Sequence, residues 1–234
     1  MIEQKEIDGI VLNCILNSQN IKRNKLEFPK LLSATNPYTL FDDMTCENIV
    51  DKILSKHKET SEETIRGNLL ECISIEINSK IQGGFKSKEV DVDLEVSLTN
   101  SYYGLKNSPN WGNANQQKAV GQTNEMMKGL GKVFAVLCLY GRSIKRKVEK
   151  FKQYGGQESW SIISNGDEEM YQKVHIGINN NKLVYRQFLD DIYTCDKQRA
   201  INWMFINFKL NDKLNLRKIN EYISGRDKIK ITKW

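Results

Sequence analysis

The sequence predicts an α/β (α+β) fold in which a central mixed β-sheet is flanked by helices, with helical additions at both ends of the chain. Three patterns carry this prediction. Apolar residues recur every four positions over 61–81, which predicts a helix. Acidic and apolar residues alternate over 88–98, which predicts a strand. The apolar run VFAVLCLYG at 133–141 predicts a buried strand.

The composition suits a globular protein with a substantial core. The chain has 234 residues, of which 39% are hydrophobic, and a formal net charge of +6. We find no internal repeat and no long linker, so we expect one composite domain over 1–234. Within it we distinguish a helical N-terminal subregion at 1–60, a core at 62–141, and a basic helix, strands and C-terminal helices at 142–234.

Several protein classes are disfavoured by what the sequence lacks. The five cysteines are scattered and form no C-x-x-C pair, which argues against a disulfide framework or a zinc knuckle. The chain carries no phosphate-loop, dinucleotide-binding, nucleophile-elbow or zinc-protease motif. We see no secretory signal and no apolar run of membrane-spanning length, so we expect a cytoplasmic protein without a membrane partner.

The N-terminal third is predicted to be helical. Residues 5–20 and 44–57 have helical patterns, and 22–38 is predicted to be a loop because it holds two of the three prolines. The helix over 61–81 begins with the capping-box pattern SEET, and Gly83-Gly84 ends it.

The strand over 88–98 carries four acids at alternating positions. A strand turns successive side chains to opposite faces, so the acids would share one face, and their mutual repulsion favours either an open solvated face or a bound cation. Edge strands also carry charge on a wet face, although lysine is then favoured over acids. Hard cations such as Mg²⁺ prefer carboxylate oxygens. The four acids are Glu89, Asp91, Asp93 and Glu95.

The second half of the chain alternates predicted helices and strands. The stretch 99–118 is irregular in its first part and passes into a helix over 115–129, which the buried strand follows. A basic helix over 142–153 ends at Gly155-Gly156. Three further strands are predicted at SWSIIS, KVHIGI and KLVYRQF, and the last forty residues are predicted to be mainly helical.

This order of elements resembles the nuclease core named for its PD-(D/E)XK motif, which many restriction endonucleases share. A helix bearing Glu71 comes first, the segment Asp93-Leu-Glu95-Val-Ser97 best matches the paired acids, and Gln122 lies on the following helix before the buried strand. The likeness covers about 62–141. It implies a restriction-endonuclease-like core for this part of the chain.

The resemblance also implies roles for these residues. Asp93 and Glu95, with Asp91 in reserve, would bind Mg²⁺, Glu71 would reach a second metal or order water, and Gln122 would face the site. The family lysine falls at Ser97, so another element would have to supply the cation. The following helix and its end offer three lysines, of which the last is included in the predicted catalytic set: Lys118, Lys128 and Lys132.

Two segments are predicted to contact DNA. The run RSIKRKVEKFK holds six basic residues against one acid, which suits phosphate backbones, although a solvated helix face would look the same. Asn and Gln can read adenine and aromatics can stack on bases, so the Asn-rich loop before the 115–129 helix could touch bases or be a plain surface loop. The residues are Trp111, Asn113, Asn115, Arg142, Lys145 and Arg146.

The sequence therefore predicts a Mg²⁺-dependent DNA endonuclease, most similar to a Type II restriction enzyme that cuts a specific double-stranded site. Cutting both strands of a symmetric site implies a homodimer. Two alternatives stay open. One is a non-catalytic DNA-binding regulator that uses the helices near 44–81 as a helix-turn-helix, and the other is an RNA-processing or defence nuclease on the same core.

Overall fold

A computed structural model describes residues 2–20, 26–40, 44–89, 91–142, 151–210, 213–225 and 231–234. The chain folds into two compact units. The first comprises Met1–Ser18 and Ile65–Val184, and the second comprises Gln19–Thr64 and Tyr185–Trp234. The expectation of a single composite domain with its core at 62–141 stays a prediction.

The first unit contains a five-stranded mixed sheet in the order β1-β2-β3-β4-β5. The pairs β1–β2 and β2–β3 are antiparallel, whereas β3–β4 and β4–β5 are parallel. With helices flanking this sheet, the predicted α/β class is confirmed. The strands are β1 Phe85–Lys86, β2 Leu94–Val96, β3 Ser101–Lys106, β4 Val133–Cys138 and β5 Lys152–Gly155.

Several elements of the first unit lie where the sequence predicts them, or nearly so. The predicted helices over 5–20 and 115–129 are confirmed as α1 and α4, and the buried strand between 133 and 141 is confirmed as β4. The helices with residues in this unit are α1 Gln4–Asn20, α3 Cys46–Gln82, α4 Ala114–Gly129, α5 Gly156–Ile163, α6 Met170–Asn180 and the start of α7 Lys182–Phe208.

Helix α3 is a single helix of 37 residues, so the prediction of two helices at 44–57 and 61–81 is wrong. The helix contains no proline, and the linking sequence KHKETSEET is rich in lysine and glutamate, which favour helix continuation over a break. Gly83 ends the helix as predicted, with a left-handed φ of +68°. A continuous helix leaves no turn here, so a non-catalytic regulator could not use 44–81 as a helix-turn-helix.

The acidic strand is shorter than predicted, because strand β2 covers only Leu94–Val96. Before it the chain turns, with the Val92 amide donating to the Glu89 carbonyl at 3.3 Å and Asp91 in the left-handed region at φ 58°. Aspartate tolerates this conformation better than most residues. The four acids therefore do not share one strand face, since only Glu95 lies within β2 and the chain turns at Asp91.

Strand β3 lies in the stretch that we predicted to be irregular. It pairs with β2 on one side and β4 on the other, so its hydrogen bonds come from two neighbours and outweigh the unfavourable glycine at 104. Tyr102 and Tyr103 supply the aromatic side chains that strands favour.

Three predicted strands in the second half are helical instead. SWSIIS lies in α5, KVHIGI in α6 and KLVYRQF in α7. The buried residues of α6 are Met170, Val174 and Gly177, which follow the helical repeat that the β-branched composition concealed. Residues 152 and 153 belong to strand β5 rather than to the predicted basic helix, and 143–150 lie outside the described residues.

Two further features of the first unit position the site. A buried cluster packs α4 against the sheet: Val92, Tyr102, Val120, Met127, Phe134, Val136 and Cys138. A disulfide joins Cys14 of α1 to Cys72 of α3, a bond that the argument against a disulfide framework did not anticipate. They are separated by 58 residues, a spacing that carries no recognisable motif.

The second unit is mainly helical and also holds a two-stranded antiparallel hairpin. Helix α2 and a short 3-10 helix, Pro37–Thr39, interrupt the segment predicted to be a loop. Its core contains the aromatic residues Phe28, Trp203 and Phe208. The remaining elements are α2 Phe28–Ser33, β6 Lys209–Leu210, β7 Lys213–Leu214 and α8 Leu216–Ser224. Among the residues that the structure describes, no helix is both long and apolar enough to cross a bilayer.

Candidate active site

Asp93 lies immediately before strand β2 and is fixed by both its backbone and its side chain. Its amide donates to the Tyr103 carbonyl at 2.9 Å. Its carboxylate Oδ2 accepts from the Leu105 amide at 2.6 Å and lies 3.6 Å from Lys106 Nζ. The Asp93 side chain is 25% exposed, so the carboxylate is held in place but still open to solvent and ligands.

Lys106, which the sequence reasoning did not single out, lies beside Asp93 and is a candidate for the site. It ends strand β3, and because side chains alternate along a strand it shares a face with Gly104 and Tyr102. Tyr102 pairs directly with Glu95, so this face also carries the Glu95 side chain. Lys106 is thus a candidate, on the next strand, for the lysine that is absent at Ser97. Recognising SYYGLK as a strand would have pointed to it.

The ammonium of Lys106 lies between an acid and an aromatic ring. Asp93 Oδ2 is 3.6 Å away, and the centroid of the Trp111 ring is 5.7 Å away. Trp111 is itself fixed, because its indole N–H donates to Gln153 Oε1 at 3.0 Å. Trp111 is half-buried and packs beside the core, so the structure gives it a packing role in addition to the predicted DNA contact.

Gly104 stands two residues before Lys106, where the acid of an acid-x-lysine triplet would lie. A Cβ at this position would be 3.2 Å from the Asp91 carbonyl oxygen, closer than most real contacts. The Asp91 carboxylate Oδ2 accepts from the Thr123 hydroxyl of α4 at 3.4 Å. The turn at Asp91 therefore occupies the space beside Gly104 with a main-chain oxygen.

Glu95 lies on the same strand face as Asp93 and is bound by neutral donors. Its Oε1 accepts from the Tyr102 hydroxyl and from Ser97 Oγ, each at 3.2 Å. Lys132 lies over the Tyr102 ring with its Nζ 4.3 Å from the centroid. The contact with Tyr102, reinforced by the negative charges of Glu89 and Glu95, raises the pKa of Lys132. Lys132 thus lies on the Glu95 side of the site.

Glu71 and Lys86 form an ion pair with each other. Lys86 Nζ donates to Glu71 Oε1 at 2.8 Å, and Lys86 lies opposite Leu94 in the β1–β2 register. The hydrogen bond that Lys86 donates to Glu71 raises the pKa of Lys86, and the negative charge of Asp93 adds to the shift. Lys86 pairs with Leu94, which points to the sheet face opposite Glu95, so this ion pair is separate from the face that carries Glu95 and Lys106.

Gln122 and the other two lysines proposed from α4 are exposed. Gln122 is exposed on α4, whereas its neighbour Thr123 is buried and contacts Asp91. Lys118 is exposed, and Lys128 pairs with Glu125 at 3.5 Å. The structure brings together Asp93, Glu95 and Lys106 on one face, and places Thr123 rather than Gln122 against the turn at Asp91.

The predicted DNA-contacting residues are split between a helix cap and an exposed segment. Asn113 caps α4, since its side chain accepts from the amides of Asn115 and Gln116 in a capping box. Asn115 is exposed in the first turn of that helix, and Arg142 is exposed after β4. Lys145 and Arg146 lie outside the described residues.

The donor set of the site suits Mg²⁺ better than a transition metal. Within the described parts of the chain, no group of three or more His, Cys, Asp or Glu side chains could enclose a metal ion. Asp93 and Glu95 share a face, and the Asp91 carbonyl lies at its edge, which gives hard oxygen donors only. Mg²⁺ keeps several waters and is commonly bound through one or two carboxylates, so this set fits it.

Comparison with known proteins gives one family. The family model described as Type II restriction endonuclease EcoO109I matches residues 11–182, which is most of the chain and includes every residue of the site above. No curated protein matches the chain.

Proposed function

The chain belongs to the family of the Type II restriction endonuclease EcoO109I, and we propose that it is a Mg²⁺-dependent endonuclease that cuts a specific double-stranded DNA site. The match supports the PD-(D/E)XK resemblance that the sequence showed over 62–141. Specific cutting, the metal and a homodimeric state go beyond the match and are part of this proposal.

The observation that carries the proposal is the pairing of Asp93 with Lys106 across β2 and β3. An acid and a lysine 3.6 Å apart, both about one quarter exposed, lie on one strand face with Glu95. An ion pair that is only about one quarter exposed also contributes to stability, so the pair by itself does not define a reaction. A carboxylate pair beside a fixed cation is, however, the group of side chains that phosphodiester hydrolysis needs.

Each residue of the site has a defined part. Asp93 and Glu95 would hold the Mg²⁺ ion, with the Asp91 carbonyl as a further oxygen donor. When bound, the ion polarises the scissile phosphate and lowers the pKa of a coordinated water. Lys106 would orient the attacking water and stabilise the negative charge that develops on the phosphorane. Asp93 and Trp111 keep its ammonium in place for this role.

DNA binding would use the exposed groups around this face. Arg142 and Asn115 are exposed and would contact phosphate or base edges, and Lys132, which lies over the Tyr102 ring, would contact a phosphate. Asn113 would act through the cap of α4. A homodimer would present two such sites, one to each strand of a symmetric sequence.

The proposal is tested by incubating the purified protein with plasmid DNA and Mg²⁺ and sequencing the cut ends. We expect defined cuts by the wild type, and loss of cleavage in Asp93→Asn and Glu95→Gln. A single-stranded RNA substrate in parallel addresses the RNA-nuclease alternative. Undiminished cleavage by both variants would refute the site assignment, and binding without cleavage of either substrate would favour the regulator.

A further inference from the structure

Gln153 of strand β5 binds the segment that connects β3 to α4. Its Oε1 accepts from the Trp111 indole N–H at 3.0 Å, and its Nε2 donates to the Pro109 carbonyl at 3.5 Å. Glutamine is mostly exposed in proteins, whereas Gln153 is half-buried and both ends of its amide are hydrogen-bonded. The amide therefore fixes two points of one segment against the sheet.

Gln153 lies on the sheet face that carries Lys106, two strands away. In the parallel register Gln153 pairs with Val136 of β4, and Val136 pairs with Gly104 of β3. Lys106 follows Gly104 by two residues, so side-chain alternation places it on the same face. The link between the two is the Trp111 ring, because its centroid lies 5.7 Å from Lys106 Nζ.

We propose that Gln153 is a positioning residue for DNA cleavage, which holds the Trp111 ring where it limits the movement of the Lys106 ammonium. The inference rests on the proposed function, because it concerns the lysine assigned there to the attacking water. A lysine ammonium sits on a flexible four-carbon stem. Asp93 Oδ2 lies 3.6 Å from it, longer than a charged hydrogen bond, so the ring supplies a second contact that narrows its position.

The bond from Gln153 is the contact that fixes the rotation of the indole ring. The Phe151 ring packs against Trp111 with centroids 6.0 Å apart, but a ring contact has no donor or acceptor to set an angle. Gln117 of α4 donates to the Trp111 carbonyl at 3.3 Å, which holds the main chain and not the ring. Removing the Gln153 amide should therefore release the ring while the segment stays attached.

Gln153→Leu removes this bond and keeps a side chain of similar size. We expect the single-turnover rate of cleavage in Mg²⁺ to fall by about three- to tenfold, within the range that a cation–π contact contributes. Affinity should change by less than about twofold, because Lys106 acts in the reaction step. The affinity is measured in Ca²⁺ with a duplex oligonucleotide that carries the site read from the sequenced cut ends.

Trp111→Phe tests the link between Gln153 and the ring. Phenylalanine keeps an aromatic ring but lacks the N–H that Gln153 accepts. This variant should lose as much rate as Gln153→Leu, and the double variant should be no slower than either single variant, because both changes remove the same bond.

Gln82→Leu is the matched control. Gln82 is also half-buried in the first unit, and its amide donates to the Ile162 and Ile163 carbonyls at 3.0 and 3.1 Å. Its replacement should lower the unfolding temperature as Gln153→Leu does, yet leave the cleavage rate at the wild-type value. Equal rate losses in the two variants would reduce the effect to stability and overturn the inference.

Lys106→Met separates this inference from the proposed function. A wild-type rate in Lys106→Met, or no cleavage by the wild type, would refute the role of Lys106 and the inference with it. Slow cleavage by Lys106→Met together with a wild-type rate in Gln153→Leu would refute only the role of Gln153. Additive losses from Gln153→Leu and Trp111→Phe, or a loss of DNA affinity as large as the loss of rate, would refute it as well.

Discussion

Gly104 is the residue at which this chain departs from the acid-x-lysine pattern of its family. Glycine supplies no acid there, and the Asp91 carbonyl oxygen lies 3.2 Å from the point where a Cβ would be. Asp93 and Glu95, from the neighbouring β2 segment, still provide carboxylates on the same face. The site therefore combines a lysine from β3 with acids from the β2 segment.

Replacing Gly104 with alanine tests how closely this turn must approach the strand. The new Cβ would lie 3.2 Å from a backbone oxygen, which must move by a few tenths of an ångström. We expect a loss of about 1–3 kcal/mol in the free energy of unfolding, the usual cost of overpacking, together with slower cleavage. Urea unfolding and single-turnover cleavage measure the two effects.

Gly129→Ala is the matched control for this substitution. Gly129 is the last residue of α4, and a Cβ there would meet nothing within 4 Å. Cleavage should stay at the wild-type rate, and stability should stay unchanged or rise by up to about 1 kcal/mol, since alanine restricts the unfolded chain. If Gly104→Ala were equally harmless, the close approach of Asp91 to Gly104 would have no role in shaping the site.

At the scale of single elements, we expect Asn113, the N-cap of α4, to have a structural role and Asn115 to contact DNA. Asn113 accepts from two amides of the first turn of α4, so Asn113→Ala should lower the free energy of unfolding by about 0.5–2 kcal/mol. Urea unfolding measures this loss. Asn115 accepts no cap bond, and Asn115→Ala should leave stability nearly unchanged while it weakens binding to the specific site.

A filter-binding or fluorescence assay with Ca²⁺ in place of Mg²⁺ completes that comparison. Equal stability losses in the two variants would contradict the capping role of Asn113. Unchanged DNA affinity in both would contradict the predicted contact between this loop and DNA.

Some local sequence patterns predict the observed elements correctly, and others do not. Helix α4 and strand β4 follow their sequence patterns, since an Asn cap, apolar periodicity and a continuous apolar run each agree with the packing around Met127 and Val136. Helix α3 overrides a local capping signal, because nothing between its predicted halves breaks a helix. Strand β3 owes its existence to two neighbouring strands, and no local pattern reports such partners.

The candidate site was predictable only in part for the same reason. Asp93 and Glu95 could be found because their alternation is local. Lys106 could not, because its place beside Asp93 depends on the antiparallel pairing of β2 with β3. The bond between Lys86 and Glu71 likewise depends on the position of β1 against α3, which the spacing of 15 residues does not reveal.

At the scale of the whole molecule, the reactivity of the thiols tests the covalent structure. Five cysteines include one disulfide, Cys14–Cys72, and three free thiols. Burial raises the pKa of the Cys46 thiol to about 12, with the charge of Glu47 adding to the shift. A thiol reacts as its thiolate, so Cys46 should resist a thiol reagent at pH 8, whereas the exposed Cys195 should react at once.

Titration with a chromogenic disulfide reagent gives the counts. We expect one fast thiol in the native protein, three after denaturation without reductant, and five after reduction. Cys195→Ser should remove the fast phase. Five thiols in the unreduced denatured protein would contradict the disulfide between α1 and α3.

The central claim is that Lys106, rather than Lys132, acts beside Asp93 in the reaction. The sequence left three lysines open and put Lys132 in the predicted catalytic set, whereas the structure places Lys106 3.6 Å from Asp93 and Lys132 over Tyr102. The direct measurement is the single-turnover rate of DNA cleavage in Mg²⁺ for Lys106→Met and Lys132→Met. We predict a loss of about 10²-fold or more for Lys106→Met, as for other groups that stabilise transition-state charge, and less than tenfold for Lys132→Met. The reverse order, or a Lys106→Met enzyme that cleaves at the wild-type rate, would contradict the account.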